Sequence, residues 1–289
     1  MIEMDKFVVI VLCHCRPNKT TTITTLRNSG YTGKIILLLD DEDMTIEQYR
    51  QLYSDNIIDT FSKDEWLQKT DTMNNNPNKN CAVYARNACF SIAEKHGFKY
   101  FCQMDDDYTT IPYRYIIDKT LYRENEVNLD LVFRYYLEFM ESSNKIGAVA
   151  FAEPGDFVGG VGSNLNRRQY LNKCMGSWIC FVSRPLKFFG VLNDDVNCYS
   201  VYGSRGTLFY TFNFIMIDTP PTQSVSGGMT DIYLQFGTYT KTFYTLLCCP
   251  SFVKVDVFGG KQYRIHHKFN WENAVPKLIS DSYRKVSNV

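Results

Sequence analysis

Three consecutive carboxylates, Asp105-Asp106-Asp107, follow the apolar stretch from Phe98 to Met104. Adjacent like charges raise one another's pKa unless a cation or a set of hydrogen-bond donors offsets them. On an extended segment, residues two apart face the same side. Asp105 and Asp107 can therefore reach one Mg2+ or Mn2+ that also takes phosphate oxygens, while Asp106 turns elsewhere, toward a sugar or ribose. A solvated acidic turn is the commoner fate of such a run, but here an apolar strand feeds it. Two other groups suit proton transfer or metal ligation. Asn193-Asp194-Asp195-Val196 places paired acids after Gly190-Val191-Leu192, and His266-His267 holds half of the chain's 4 histidines. Adjacent residues on a strand face opposite ways, so one of those two imidazoles would serve.

The elements that must position these groups are legible as hydrophobic runs. Phe7-Val8-Val9-Ile10-Val11-Leu12 reads as a strand buried on both faces of a mostly parallel sheet, ending at His14-Cys15-Arg16-Pro17. Thr20 to Ser29 has helical character closed by Gly30, and Lys34 to Leu39 is a second buried strand ending in Asp40-Asp41-Glu42-Asp43. Thr45 to Leu52 reads as a short helix and Ile57 to Phe61 as a third strand. The loop Asn74-Asn75-Asn76-Pro77-Asn78 leads into a helix from about Ala82 to His96, closed by Gly97. Phe98 to Met104 then delivers the aspartate run at a strand's C-terminal end, the edge where open α/β sheets bind ligands. Asn128 to Ser142 has amphipathic helical spacing, and Ile146 to Phe151 follows as a strand. Beyond it the chain is glycine-rich from Gly155 to Gly162 and thereafter aromatic and strand-like, with turns at Gly203-Ser204, Pro220-Pro221 and Gly259-Gly260.

Composition bounds the class. Of 289 residues, 45% are apolar and 21% charged, with 20 Tyr and 20 Phe, enough to bury a core and to exclude global disorder. Lys plus Arg equals Asp plus Glu at 31 each, so no overall positive field draws the chain to a polyanion, and nucleic-acid binding would need a local patch. The 10 cysteines lack paired CxxC spacing; Cys13/Cys15 and Cys248/Cys249 are too close for a typical zinc or disulfide framework, and reduced, mostly buried thiols are expected. Met1 to Lys6 carries two acids before a short apolar run, unlike a signal peptide. No stretch approaches the ~20 apolar residues of a membrane span. The expectation is a soluble cytoplasmic protein without a Golgi-type anchor or an obligate protein partner.

Taken together, the strand ending in Arg16-Pro17, the strand ending in Asp40-Asp41, the helix carrying Tyr84-Ala85-Arg86-Asn87, and Met104-Asp105-Asp106-Asp107-Tyr108 resemble a GT-A glycosyltransferase. Within that class, the Ala-Arg-Asn helix followed by Asp-Asp-Asp-Tyr is similar to the TET/JBP-associated glycosyltransferases, relatives of the base J glucosyltransferase and of phage enzymes that glycosylate 5-hydroxymethylpyrimidines in DNA. The resemblance implies an α/β, Rossmann-like GT-A fold with a mixed, mostly parallel sheet, helices on both faces and a β-rich C-terminal acceptor region. Residues 1–152 would form the nucleotide-sugar half and 153–289 the acceptor half of one continuous domain. It implies transfer of a hexose from a nucleotide sugar, UDP-glucose or a close relative, to a hydroxyl, with Mn2+ or Mg2+ bound. A polysaccharide or protein acceptor, a nucleotidyltransferase and a non-catalytic nucleotide-binding module are the rival readings.

By the same resemblance, Arg16 and Asp40 or Asp41 hold the nucleoside. Arg86 pairs with a carboxylate or the diphosphate. Asp105, with Asp106, meets the donor, and His266 or His267 completes the metal shell that Asp105 and Asp107 begin. Asp195 stands first, and Asp194 second, as the base that takes the acceptor proton, with an N-cap or loop acid as the plainer reading; Asp231 is a third candidate. Trp178 could stack on a sugar or an extruded base, although an aromatic in an apolar strand is more often core. Gly159 to Gly162 reads as a mobile acceptor-side loop, and Arg167-Arg168 with Lys173 as a small phosphate-contacting patch.

Overall fold

The runs of β-branched residues pair with one another because only neighbouring strands can satisfy backbone groups buried on both faces. In the computed structural model, which describes residues 2–74, 79–163, 173–219, 237, 239–259 and 263–274, β1 (Phe7–Leu12) pairs in parallel with β2 (Lys34–Asp40) and with β4 (Tyr100–Asp105). On the far side of β2 lies β3 (Ile57–Phe61), also parallel. The sheet continues past β4 through β8 (Trp178–Phe181), β7 (Ile146–Ala152), β9 (Leu208–Met216), β5 (Tyr113–Ile117) and β6 (Thr120–Glu124), giving the nine-stranded order β3-β2-β1-β4-β8-β7-β9-β5-β6. Within it β8 and β5 run against the rest. The C-terminal ends of β1, β2, β4 and β7 therefore share one edge. Outside this sheet, β10 (Val253–Gly259) and β11 (Tyr263–Phe269) form an antiparallel pair.

Helices cover both faces. One face packs α1 (Thr21–Asn28), Tyr49 of α2 (Ile46–Leu52), and α5 (Leu129–Glu141). The other packs α4 (Val83–Lys95) and α6 (Asp194–Ser204), with α3 (Lys63–Lys69) at its margin; α7 (Thr240–Cys248) leans on α6. The architecture is the mixed, mostly parallel α/β sheet with two helical layers that the sequence predicts. Burial explains α5: Leu129, Val132, Phe133, Tyr136, Leu137 and Met140 recur at helical spacing and are all buried, and Asn128 caps the first turn by accepting from the Leu131 N–H at 3.0 Å. Phe133 sits 4.7 Å from Phe7 and 5.6 Å from Phe151, ring centre to ring centre, welding helix to sheet.

Several features depart from the sequence reading. The β5–β6 hairpin turns on Asp118 and Lys119, both at positive φ (47° and 63°); Lys119 stands where a glycine normally announces such a turn. The segment Thr240–Cys248 looks strand-like because of its Thr, Phe and Tyr content, yet it is helical and packs on α6, a tertiary override of weak propensity. Trp178 is core and not a stacking platform: it is wholly buried, with its ring 4.7 Å from Phe188 and 5.8 Å from Phe209. Pro154–Phe157 and Gly160–Gly162 form short 3-10 turns within the glycine-rich stretch. Asp231, Arg167 and Arg168 lie outside the described residues. Among those described, no helix is long and apolar enough to cross a membrane.

Because the Phe133 ring joins three elements, Phe133→Ala is expected to cost about 3–5 kcal/mol of unfolding free energy, measured by urea denaturation. A loss below about 1 kcal/mol, the range of a tolerated core swap, would show that α5 is not anchored in this way.

Candidate active site

Threonines on α1 hold the loop that carries the aspartates. Thr22 Oγ1 donates to the Asp105 carbonyl at 2.7 Å and accepts from the Tyr108 N–H at 2.9 Å, while Thr25 Oγ1 lies 2.9 Å from the Tyr108 carbonyl. So fixed, the run alternates. Asp105 keeps 39% of its side chain exposed, whereas Asp106 keeps 1% and turns under the strand end onto Arg16. There Arg16 Nη2 and Nε donate to the two Asp106 oxygens at 2.5 and 3.0 Å, a fork matched to a carboxylate. Burial still pushes the Asp106 carboxyl up to about 7, against the pull of Arg16. Asp107 is also raised, by burial and then by Asp105.

Arg86 links the run to the second acid pair. It projects from α4 and is 5% exposed, with Nη2 3.3 Å from Asp105 Oδ1 and Nε 3.0 Å from Asp194 Oδ2. One buried guanidinium thus lies between a carboxylate at the sheet edge, which it hydrogen-bonds, and another in the first turn of α6, which it meets as an ion pair without hydrogen-bond geometry. Burial raises Asp194 to about 7 despite Arg86, and raises Asp195 as well. The start of α6 is tied down from α7: Asn193 Nδ2 donates to Lys241 O and Thr245 Oγ1, both at 3.0 Å, and Thr245 Oγ1 donates to Asn197 Oδ1 at 3.0 Å. Gly190, at φ 85°, makes room for this network, since a Cβ there would lie 2.6 Å from Asn197 Nδ2.

The remaining predicted groups fall in three places. Asp40, at the end of β2, is buried between Lys63 Nζ at 2.9 Å and His14 Nδ1 at 2.7 Å; burial opposes ionisation, but these two partners bring its carboxyl down to about 2. Asp41 accepts from the Lys63 N–H at 2.9 Å at the start of α3. His266 and His267 lie on β11, where the His267 ring faces Asn193 Nδ2 at 3.5 Å, one residue from Asp194. Burial drives His267 down to about 3, with His266 and Lys241 adding to the effect, so the imidazole is neutral. Lys173 is not part of a surface patch; it pairs with Asp156 and is largely buried.

Glu153 carries no sequence signal, since it is a single acid after an apolar strand. It stands just beyond β7, at the same sheet edge as Asp105 and two strands along from it, roughly 10 Å by strand spacing. Asp156 Oδ2 accepts its backbone N–H at 3.0 Å. Gly176, at φ 66°, faces it: a Cβ there would lie 2.6 Å from Glu153 Oε1 and 3.4 Å from the Tyr108 hydroxyl. Burial raises the Glu153 carboxyl to about 7, Lys173 pulls it down, and Asp156, Asp195 and Asp105 push it up. Asp105 and Asp195 thus act electrostatically on both Glu153 and Asp194.

A family model described as TET-Associated Glycosyltransferase matches residues 7–228, more than half of the chain. The chain belongs to the TET-associated glycosyltransferases. No curated protein matches it. Among solved structures, it is similar to glucosyl-3-phosphoglycerate synthase from Mycobacterium tuberculosis, determined with Mn2+, uridine diphosphate and phosphoglyceric acid. That likeness has a TM-score of 0.46 and 11% identity and covers 91% of this chain and 86% of the other.

In this TET-associated glycosyltransferase, removing the shared cation strands two carboxylates. Arg86→Met is expected to lose about 3–5 kcal/mol, and adding Asp194→Asn should return part of it; additive losses in a double-mutant cycle would refute the bridge. The raised carboxyls also set a pH dependence. Glu153 and Asp194 hold protons up to about 7 in the folded state, while an unfolded chain releases them near 4. Their contribution to stability is therefore fully present at low pH and is lost as pH rises through about 7. Denaturation of protein in chelator should show lower stability at pH 8 than at pH 5.5, with a smaller drop in Glu153→Gln; an identical drop in both would exclude Glu153 as a source.

Proposed function

We propose that this glycosyltransferase moves a hexose from a nucleotide sugar, UDP-glucose or a close relative, onto a hydroxyl acceptor, with 5-hydroxymethylpyrimidine in DNA as the acceptor class, and that it works with a bound divalent cation. The observation that carries the reading is the Arg86 bridge. It links the partly exposed strand-end carboxylate of Asp105 to the buried acids of α6, as a donor site and a base working on the same anomeric carbon require.

The donor set suits Mn2+ or Mg2+. Asp105 and Asp107 offer hard carboxylate oxygens, and Asp105 is open to solvent while its neighbour Asp106 is engaged with Arg16. Close by, the Tyr108 hydroxyl and Arg86 Nη1 are buried with no hydrogen-bond partner among the described residues, polar capacity that a ligand would use. When bound, the cation would neutralise charge on the departing diphosphate. A neutral His267 or His266 is in the protonation state a ligand needs, and the position of His267 beside Asn193 supports assigning the pair to this side of the site.

The chain's own residues do the rest. Beyond the ends of β1 and β2, Arg16 and Asp41 are the groups left to receive the nucleoside, with Asp40, paired on Lys63 and His14, as framework. Asp194 is committed to Arg86, which leaves Asp195 to take the proton of the acceptor hydroxyl as its oxygen attacks the anomeric carbon. The bond from that carbon to the diphosphate oxygen breaks, and its electron pair leaves with the nucleoside diphosphate. The DNA acceptor is supported by the family rather than by charge, which is balanced at 31 and 31.

Titration calorimetry should detect UDP binding that requires Mn2+ and disappears in Asp105→Asn. Asp195→Asn should keep that binding and lower kcat by about 10²–10⁴. Labelled sugar should pass to hydroxymethylcytosine DNA and not to unmodified DNA. Metal-independent UDP binding would sink the cation assignment, and equal labelling of both DNAs would sink the acceptor.

A further inference from the structure

The loops leaving β1 and β2 together carry a second set of ligand-type side chains, separate from the aspartate run. His14, Cys15 and Asp43 each offer a ligand atom, and these atoms lie within 4.8 Å of one another. Adjacent residues on an extended chain would point to opposite sides. Cys15, however, is in the left-handed region at φ 51°, unusual for a residue with a Cβ, and the turn brings the His14 imidazole and the Cys15 thiol to the same carboxylate.

Hydrogen bonds hold the imidazole and the carboxylate in place, while burial and Asp43 raise the Cys15 thiol, so an ion must displace its proton on binding. Asp40 Oδ2 lies 2.7 Å from His14 Nδ1, so a proton on Nδ1 leaves the Nε2 lone pair free, the arrangement by which carboxylates orient metal-binding histidines. Asp43 is fixed by Thr45, whose N–H and hydroxyl donate to Oδ1 at 2.7 and 2.6 Å, and by the Cys15 N–H on Oδ2 at 2.7 Å. A carboxylate oxygen with one donor retains a lone pair, and Oδ2 is the atom 4.0 Å from His14 Nδ1. Cys15 is the one exposed thiol among the 10 cysteines, and the His14 side chain is 42% exposed, so an ion can reach them from solvent.

The geometry points to a second metal site formed by His14, Cys15 and Asp43, with Asp40 behind His14, for a borderline-soft divalent ion of the zinc class. One nitrogen, one sulfur and one carboxylate oxygen favour Zn2+ or Co2+ over Mg2+ or Mn2+, which prefer all-oxygen shells such as Asp105 with Asp107. Lys63, paired to Asp40, tempers the negative charge of the cluster without occupying a ligand atom of the three. The site does not depend on the identity of the sugar donor.

Co2+ titrated into the full chain in excess Mg2+ reports it directly. One equivalent should give a thiolate-to-cobalt charge-transfer band that Zn2+ abolishes. Cys15→Ser should remove the band, and His14→Ala should weaken Zn2+ binding at least about tenfold, while Asp105→Asn leaves both unchanged. Asp40→Asn should weaken binding by roughly 10- to 100-fold as the orienting partner is lost. Thermal melts of each variant confirm folding. No charge-transfer band, or a band that survives in folded Cys15→Ser, overturns the proposal.

Discussion

A guanidinium buried between two carboxylates has few ways to be satisfied, and in this protein that restriction organises the site. Arg86 could not leave the interface of α4 with the sheet without abandoning Asp105 and Asp194, and neither acid has another cation at comparable distance among the described residues. Burying Arg86 and Asp194 beside a partly exposed Asp105 is expensive, and the attraction among them offsets that cost only if the geometry is held. The helices that hold it are therefore tightly specified: α4 by its apolar contacts with β1 to β4, and α6 by the amides of Asn193 and Asn197 bound to α7 and the preceding loop. Stability and the assembly of the acid cluster are one requirement in this region.

The second clasp, Arg16 on Asp106, works differently. It draws the middle acid of the run out of the cluster, so that crowding falls on Asp105 and Asp107 alone. The threonines of α1 fix the backbone of the same turn from the other face of the sheet. Three adjacent aspartates thus have three distinct environments: one open and shared with Arg86, one buried on Arg16, and one partly buried and repelled by its neighbour. A strand end can impose this because successive side chains leave it in opposite directions.

Much of the frame was legible because burial on two faces writes continuous apolar runs. From Phe7 to Ala152, the main strands and amphipathic α5 follow from such runs, and the Asp run was visible because charge at the end of one is conspicuous. What was hidden depends on contacts between distant residues. That Arg86 faces both Asp105 and Asp194 requires knowing that α4 and α6 lie on the same side of the sheet. Asp43 joins His14 and Cys15 only because β1 and β2 are neighbours in parallel register. Glu153 is one acid at a strand end, ordinary in sequence, and acquires its neighbours through the insertion of β8 between β4 and β7. In α7 the sequence misleads, since β-branched and aromatic residues there are chosen for packing on α6 and not for strand propensity.

Where Glu153, Asp194 and Asp195 lie among other acids, burial and neighbouring carboxylates oppose their ionisation. The folded chain answers by retaining protons, which is why Glu153 and Asp194 stand near 7 while Asp40, paired on both oxygens, stands near 2. Two carboxyl populations follow from one sheet edge. The carboxyl with a partner on each oxygen, Asp40, is charged at all ordinary pH and serves as framework, whereas a single buried arginine leaves Asp106 and Asp194 raised to about 7. Those without enough partners are left with unmet demand for positive charge, and a cation with a polar substrate is what that demand selects. The same logic separates the two clusters on this edge: at Asp105 the unmet demand is for a hard cation among oxygens, whereas beside His14 and Cys15 Asp40 is already paired and the free capacity is one nitrogen, one sulfur and one oxygen of Asp43.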